Sequence, residues 1–128
     1  MDKQGHLAAG TSTGGMQGKM PGRVGDSPII GASTFAEDSV CGVSSTGHGE
    51  FFIRNAVAHD IYALMLYKKM SAQQATDAVF KKLTAKKGFG GVIVLDKNGQ
   101  PVATFNTPGM YRAWRVGSGA PTIKIFKD

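Results

Sequence analysis

The sequence predicts an α+β domain in which two adjacent helices lie on one face of a mainly antiparallel sheet. Three observations predict it. β-rich runs stand towards both ends of the chain, two helix-period segments lie side by side between them, and the second group of β-rich runs is joined by an Asn-Gly dipeptide. Strands, then helices, then strands is the order of an α+β layer arrangement rather than of a wound parallel sheet. The 128 residues are the length of one domain, 1–128, able to bury about two thirds of the surface an unfolded chain exposes.

The first thirty residues are small, polar and glycine-rich, and Leu7-Ala8-Ala9 predicts a short strand running into a structured loop. Ser39 to Ser45 alternates small apolar and polar residues and ends at Thr46-Gly47-His48-Gly49, which fits a strand followed by a tight turn. Glu50 then opens a helix, where Ile53, Val57, Ile61, Leu64 and Met65 recur at spacings of three and four and so share a core face. Ser71-Ala72-Gln73-Gln74 has the spacing of a capping box, and the helix it opens runs to about Leu83. Past Lys86-Lys87-Gly88, the runs Gly91–Leu95 and Pro101–Phe105 flank Asp96-Lys97-Asn98-Gly99 and read as a hairpin. Thr122–Phe126 makes a last strand.

An internal comparison adds to this. Met1-Asp2-Lys3-Gln4-Gly5 reads almost like Leu95-Asp96-Lys97-Asn98-Gly99. If the first copy is also a hairpin turn, its incoming strand belongs before Met1, and the run after it lies with unpaired backbone groups on one side. A chance agreement of two Asp-Lys turns is the alternative.

Composition excludes several classes. Hydrophobic residues make up 41% and charged residues 19%, with no apolar run near 18 residues, which excludes a disordered tail and a transmembrane span. The lone Cys41 has no internal disulfide partner and Met1 is followed by polar residues rather than a signal peptide, so a reduced, cytoplasmic chain without membrane association is expected. The net charge of +6 leaves nucleic acid, an anionic surface or an acidic partner open. Much of the excess sits in Lys68-Lys69, Lys81-Lys82 and Lys86-Lys87 after helical stretches, where cations suit the negative helix end.

Most nucleotide, metal and RNA motifs fail on inspection. Thr13-Gly14-Gly15-Met16-Gln17-Gly18-Lys19-Met20 departs from a phosphate-binding P-loop at its first and last positions. Gly47-His48-Gly49 begins a dinucleotide fingerprint whose third glycine is replaced by Phe52. His6, His48 and His59 lack the spacing and neighbours of a zinc site, so neither metal nor cofactor is expected. In Lys87–Val94 only Phe89 supplies one of the three stacking rings an RNA-recognition strand needs, and no nucleic-acid role is expected.

Two places remain. Arg23 and Asp26 stand three apart in a Gly/Pro loop, where helix-surface pairing cannot explain them. Arg23 can hold a carboxylate bidentately and Asp26 an ammonium, as a zwitterionic amino-acid head group requires; a local ion pair that pins the loop is the alternative. At Thr46-Gly47, a hydroxyl beside a backbone N–H can form an oxyanion hole or be an ordinary turn.

Together these segments resemble the β-subunit of the plant-type L-asparaginases, or isoaspartyl peptidases, which are N-terminal-nucleophile hydrolases. The resemblance runs over nearly the whole chain and is carried by Leu7–Met16, Pro21-Gly22-Arg23-Val24-Gly25-Asp26-Ser27-Pro28-Ile29-Ile30-Gly31-Ala32, Ser45-Thr46-Gly47-His48-Gly49-Glu50 and Phe105-Asn106-Thr107-Pro108-Gly109-Met110-Tyr111-Arg112-Ala113-Trp114. It implies an αββα sandwich built from an α- and a β-chain cut from one precursor, with two such pairs forming an (αβ)2 assembly. It also implies hydrolysis of the side-chain amide of asparagine or a β-aspartyl dipeptide, by a Thr hydroxyl whose own α-amino group is the base. Carried over, Arg23 would bind the substrate α-carboxylate and Asp26 its ammonium, with support from the Gly49 carbonyl. Thr46 and Gly47 would hold the oxyanion, and Thr13 would orient the nucleophile.

One departure matters. The family's β-subunit opens with Thr-Val-Gly and an apolar run, and this sequence starts about six residues later, so the nucleophile, the first strand and the α-chain are expected to be missing. Thr11, Thr13 and Thr46 cannot stand in, because none carries a free α-amino group at the site. The expectation is therefore the β-portion of an amidohydrolase that is inactive by itself, or a non-catalytic fragment that associates with an α-chain-like partner.

Overall fold

Alternating burial sets the sheet. In β2 (Cys41–Gly47) the side chains of Cys41, Val43 and Ser45 are buried on one face, and β3 (Gly90–Asp96) answers with Val92 and Val94. β1 (Thr34–Glu37) and β4 (Pro101–Phe105) complete a four-stranded antiparallel sheet in the order β1-β2-β3-β4, with Val43 opposite Val94 and Val94 opposite Val102. The computed structural model describes residues 1–127 and includes a second, two-stranded sheet of β5 (Gly109–Trp114) and β6 (Thr122–Phe126).

Three helices follow β2: α1 (Gly49–Asn55), α2 (Val57–Lys68) and α3 (Ala72–Ala85). They cover the valine face, burying Phe52, Val57, Ile61, Val79 and Leu83 against it. Each such side chain contributes about 1.5–3 kcal/mol on leaving water. The expected capping box is present: Ser71 Oγ accepts from the Gln74 N–H (3.2 Å) and Gln74 Oε1 from the Ser71 N–H (3.0 Å).

The arrangement is α+β as predicted, with four differences. The helix expected from Glu50 onward is broken at Ala56, whose left-handed backbone (φ 44°) separates α1 from α2. The first donors of α2 explain the break: the Ala58 and His59 N–H groups bond to the carbonyls of Ala32 and Gly31 instead of continuing α1. Ile53 consequently leaves the shared face and is exposed, while Phe52 enters the core. Leu7-Ala8-Ala9 forms no strand ladder. The segment instead crosses the helix-free face of the sheet, tied by Leu7 N–H to Asp38 Oδ1 (2.6 Å) and by Ser44 Oγ to the Gly10 carbonyl (3.1 Å), with Thr11 Oγ1 bonded to Ser44 Oγ and Thr34 Oγ1. No tight turn follows β2 either, since His48 alone separates it from α1. The two unpredicted strands are β1, four residues long, and β5, whose Gly-Met-Tyr-Arg-Ala-Trp becomes a strand only by pairing with β6.

The helix-free face is covered only in part. Ile93 is 49% exposed there, at the floor of a trough of about 700 Å³ walled by Ala8–Gly10 on one side and residues 112–117 on the other.

The two Asp-Lys turns have the same hydrogen bonds. Asp96 Oδ1 accepts from the Asn98 and Gln100 N–H groups, its N–H donates to the Gln100 carbonyl, and its carbonyl accepts from Gly99, which lies at φ 76°. Asp2 repeats this with Gln4, His6 and Gly5, the last at φ 91°. This is the three-residue hairpin loop, a tight turn closed by a left-handed glycine.

Candidate functional site

A cleft of about 390 Å³ lies beside the C-terminal end of β2, away from the large trough. Its lining includes Thr13, Lys19, Arg23, Asp26, Thr46 and Gly47. Five of the six residues singled out in the sequence therefore meet there, and the sixth, Gly49, lies buried beside two of them, Asp26 and Arg23. A Cβ placed on Gly49 would stand 2.7 Å from Asp26 Oδ1, 3.1 Å from the Asp26 backbone nitrogen and 3.4 Å from Arg23 Nη2. Only glycine lets the Arg23 and Asp26 side chains come together over the start of α1.

Arg23 and Asp26 do not neutralise one another. Among the described residues the salt bridges are His6–Asp2, Arg23–Glu50 and Lys82–Asp60, so the loop-pinning pair considered for the sequence is not formed. Arg23 Nη2 stands 3.7 Å from Glu50 Oε2, a long contact to a half-exposed carboxylate. Asp26 is 6% exposed and is held by Ser33, whose Oγ donates to Asp26 Oδ2 (2.7 Å) and lies 2.8 Å from the Ser45 carbonyl. A buried carboxylate costs free energy unless it is paired, so it is primed for a cationic group in the cleft.

Thr46 and Gly47 end β2, opposite Gly91 and Gly90 of β3. Thr46 is exposed to the cleft, and His48, whose N–H donates to the Phe89 carbonyl (2.9 Å), turns the chain into α1. On the opposite rim Thr13 Oγ1 accepts from the Gly15 N–H (3.0 Å), and Lys19 Nζ donates to the Gly14 carbonyl (3.1 Å). A carboxylate fork, an ammonium acceptor and a hydroxyl next to a strand-end N–H thus face one space. That set can hold an α-amino acid by its head group while a carbonyl further along is polarised.

Sequence reading missed Ser33 and Lys19 as members of this site. Ser33 carries no motif signal, since its role arises from complete burial between Asp26 and β2. Lys19 was visible as the lysine of a failed P-loop, and its place in the cleft follows from the fold of the Gly14–Gly22 loop. The three lysine pairs behave as helix-end cations: Lys82 Nζ reaches Asp60 (3.2 Å), Lys86 Nζ reaches Asn55 (2.8 Å), and Lys68, Lys69, Lys81 and Lys87 are exposed. No group of His, Cys, Asp and Glu among the described residues could hold a metal ion, and no helix is long and apolar enough to cross a membrane.

Comparison with known proteins meets this geometry from another side. The chain is 49% identical over 129 residues to an isoaspartyl peptidase of Escherichia coli, covering 100% of this chain and 40% of that protein. It is 46% identical over 127 residues to a probable isoaspartyl peptidase/L-asparaginase 2 of Arabidopsis thaliana, covering 99% of this chain and 38% of the relative. An isoaspartyl peptidase/L-asparaginase of Bos taurus is 37% identical over 111 residues, or 86% of this chain and 36% of its own. The chain thus spans about two fifths of the length of the curated relatives it matches. The sequence model of the asparaginase family matches residues 1–125, nearly the whole chain, and this chain belongs to that family.

Proposed function

We propose that this chain is the β-portion of an isoaspartyl peptidase/L-asparaginase, the part that grips the aspartyl moiety and supplies the oxyanion donors. The observation that carries the reading is that Arg23 and Asp26 flank Gly49 without pairing to each other, in the same cleft as Thr46 and Gly47. In the reaction, Arg23 takes the substrate α-carboxylate, and Asp26 takes its ammonium with help from the Gly49 carbonyl. This sets the side-chain amide carbonyl towards Thr46 Oγ and the Gly47 N–H.

A threonine preceding this sequence, oriented by Thr13, acts as nucleophile. Its α-amino group accepts the hydroxyl proton as the oxygen adds to the amide carbon. The negative charge collects on the former carbonyl oxygen, where Thr46 and Gly47 stabilise it. Collapse expels the amine with that proton and leaves an aspartyl ester on the threonine, which water cleaves to aspartate. The chemistry calls for no cofactor.

A separate α-chain from the same precursor, assembled as (αβ)2, is the partner. Two features support it: the partly covered sheet face with exposed Ile93, and the turn at Asp2, built like that at Asp96 and ready to receive an incoming strand. On this reading residues 1–128 by themselves, lacking the nucleophile, do not turn over the dipeptide. Intact mass and N-terminal sequencing of the protein from its source, with a β-aspartyl dipeptide assay, test the reading. A threonine-initiated chain with an α-chain and turnover supports it; a mature chain beginning at Met1 that hydrolyses the dipeptide would overturn it.

A further inference from the structure

The motif Phe105-Asn106-Thr107-Pro108-Gly109 has no part in the reading above, yet its asparagine is the most completely used polar side chain near the cleft. Asn106 follows β4 and is half-buried. Its Oδ1 accepts from the Gly90 N–H (2.9 Å), and Nδ2 donates to Thr84 Oγ1 (2.8 Å) and to the Gly88 carbonyl (2.8 Å). The Asn106 N–H adds a bond to the Gly90 carbonyl (3.1 Å). The partners fix the amide orientation, because a flipped group would turn its NH2 onto the Gly90 N–H and its oxygen onto the Gly88 carbonyl.

These bonds hold the segment Gly88-Phe89-Gly90-Gly91, which contains three glycines and so little side chain of its own to fix it. That segment touches the site directly. The Phe89 carbonyl accepts the His48 N–H (2.9 Å), Gly90 is the ladder partner of Gly47, and Gly91 that of Thr46. Asn106 is thus one hydrogen-bonded step from the residues on either side of the Gly47 N–H. Asp26 is held not by residues 88–90 but through Ser33, which bonds to the Ser45 carbonyl of β2, one residue before Thr46.

We propose that Asn106 is a positioning residue that sets the oxyanion donors Thr46 and Gly47 by clamping residues 88–90, without taking part in head-group binding. The inference rests on the functional reading above. A small displacement of a preorganised donor costs turnover rather than ground-state affinity.

The test uses the complete gene product with Asn106→Ala and Thr84→Val, the latter removing the hydroxyl that accepts from Asn106 and donates to the Phe80 carbonyl while leaving the Asn106 bonds to Gly88 and Gly90 in place. Three quantities are read: kcat per binding-competent site, with sites counted by L-aspartate titration; the Kd for L-aspartate; and amide hydrogen exchange at His48. For Asn106→Ala a kcat lower by roughly 10- to 100-fold is expected, with unchanged Kd and faster exchange at His48, whose N–H is bonded to Phe89. Thr84→Val is expected to lower Tm while keeping kcat. Wild-type kcat and exchange in Asn106→Ala would overturn the proposal, as would parallel losses of kcat and L-aspartate affinity. A wild-type protein that hydrolyses no β-aspartyl dipeptide would overturn the functional reading instead, and exchange at His48 would still decide whether Asn106 holds the strand end.

Discussion

Asp2 and Asp96 each cap a three-residue turn with one carboxylate oxygen that accepts two backbone N–H groups, from residues two and four places on. The Asp96 turn joins β3 to β4, so the Asp2 turn has the geometry of a second hairpin whose outgoing arm crosses the helix-free face. Replacing Asp96 by Ala removes a charged acceptor from two N–H groups and is expected to cost about 1 kcal/mol. Thermal unfolding of the complete protein checks this, with a Tm lower by about 4 °C.

The Asp2 turn carries a pH signature. The His6 N–H, and after it the Gln4 N–H, hold the Asp2 carboxyl below its ordinary value. A carboxyl lowered in the folded state contributes stability above the unfolded value of about 4, and that contribution fades as pH falls through the folded value. Acid unfolding of wild type and Asp2→Asn is expected to show a wild-type advantage that shrinks as pH falls below about 4. A gap that widens towards acid would contradict the sign.

On the proposed reading, Thr46→Ala in the complete protein removes one oxyanion donor. It is expected to lower kcat by roughly 10²–10³ while leaving the KM for a β-aspartyl dipeptide nearly unchanged. A change confined to KM would move Thr46 from the oxyanion to substrate binding.

Gly49→Ala introduces a methyl group 2.7 Å from Asp26 Oδ1. The carboxylate must shift, so KM is expected to rise about 10-fold or more, with little change in far-UV circular dichroism. Wild-type KM in this variant would show that the site tolerates displacement of Asp26.

Cys41 is fully buried in the core, and burial, with the Asp96 charge second, pushes its thiol up to about 11. A thiol so placed is neutral at pH 7 and shielded. Thiol reagents are expected to label it only after unfolding; stoichiometric labelling of the native protein would show that the core opens readily.

Local chemistry was legible in the sequence, and long-range packing was not. Ser71 and Gln74 announce their capping box within four residues, and Asp96–Gly99 announces its turn. Arg23, Asp26, Thr46 and Gly47 stood out by residue type and setting, while Thr13 and Gly49 came from the family resemblance. The break at Ala56 was hidden, because Ile53 and Val57 keep helical spacing while carbonyls of Gly31 and Ala32, some 25 residues away, take the donors of α2. Ser33 and Asn106 were hidden likewise: each works through partners separated by 7 to 22 residues, which no local pattern records.

The central claim is that Arg23 and Asp26 hold an aspartyl head group, and calorimetric titration of L-aspartate into the complete protein tests it most directly. Binding is expected at one site per β-portion, weakened by roughly 100-fold in Arg23→Ala and in Asp26→Asn, as loss of a charge-assisted bond at a partly buried site implies. Arg23→Lys should recover only part of that affinity, because it lacks the planar fork. Unchanged affinity in both Arg23→Ala and Asp26→Asn would contradict the account.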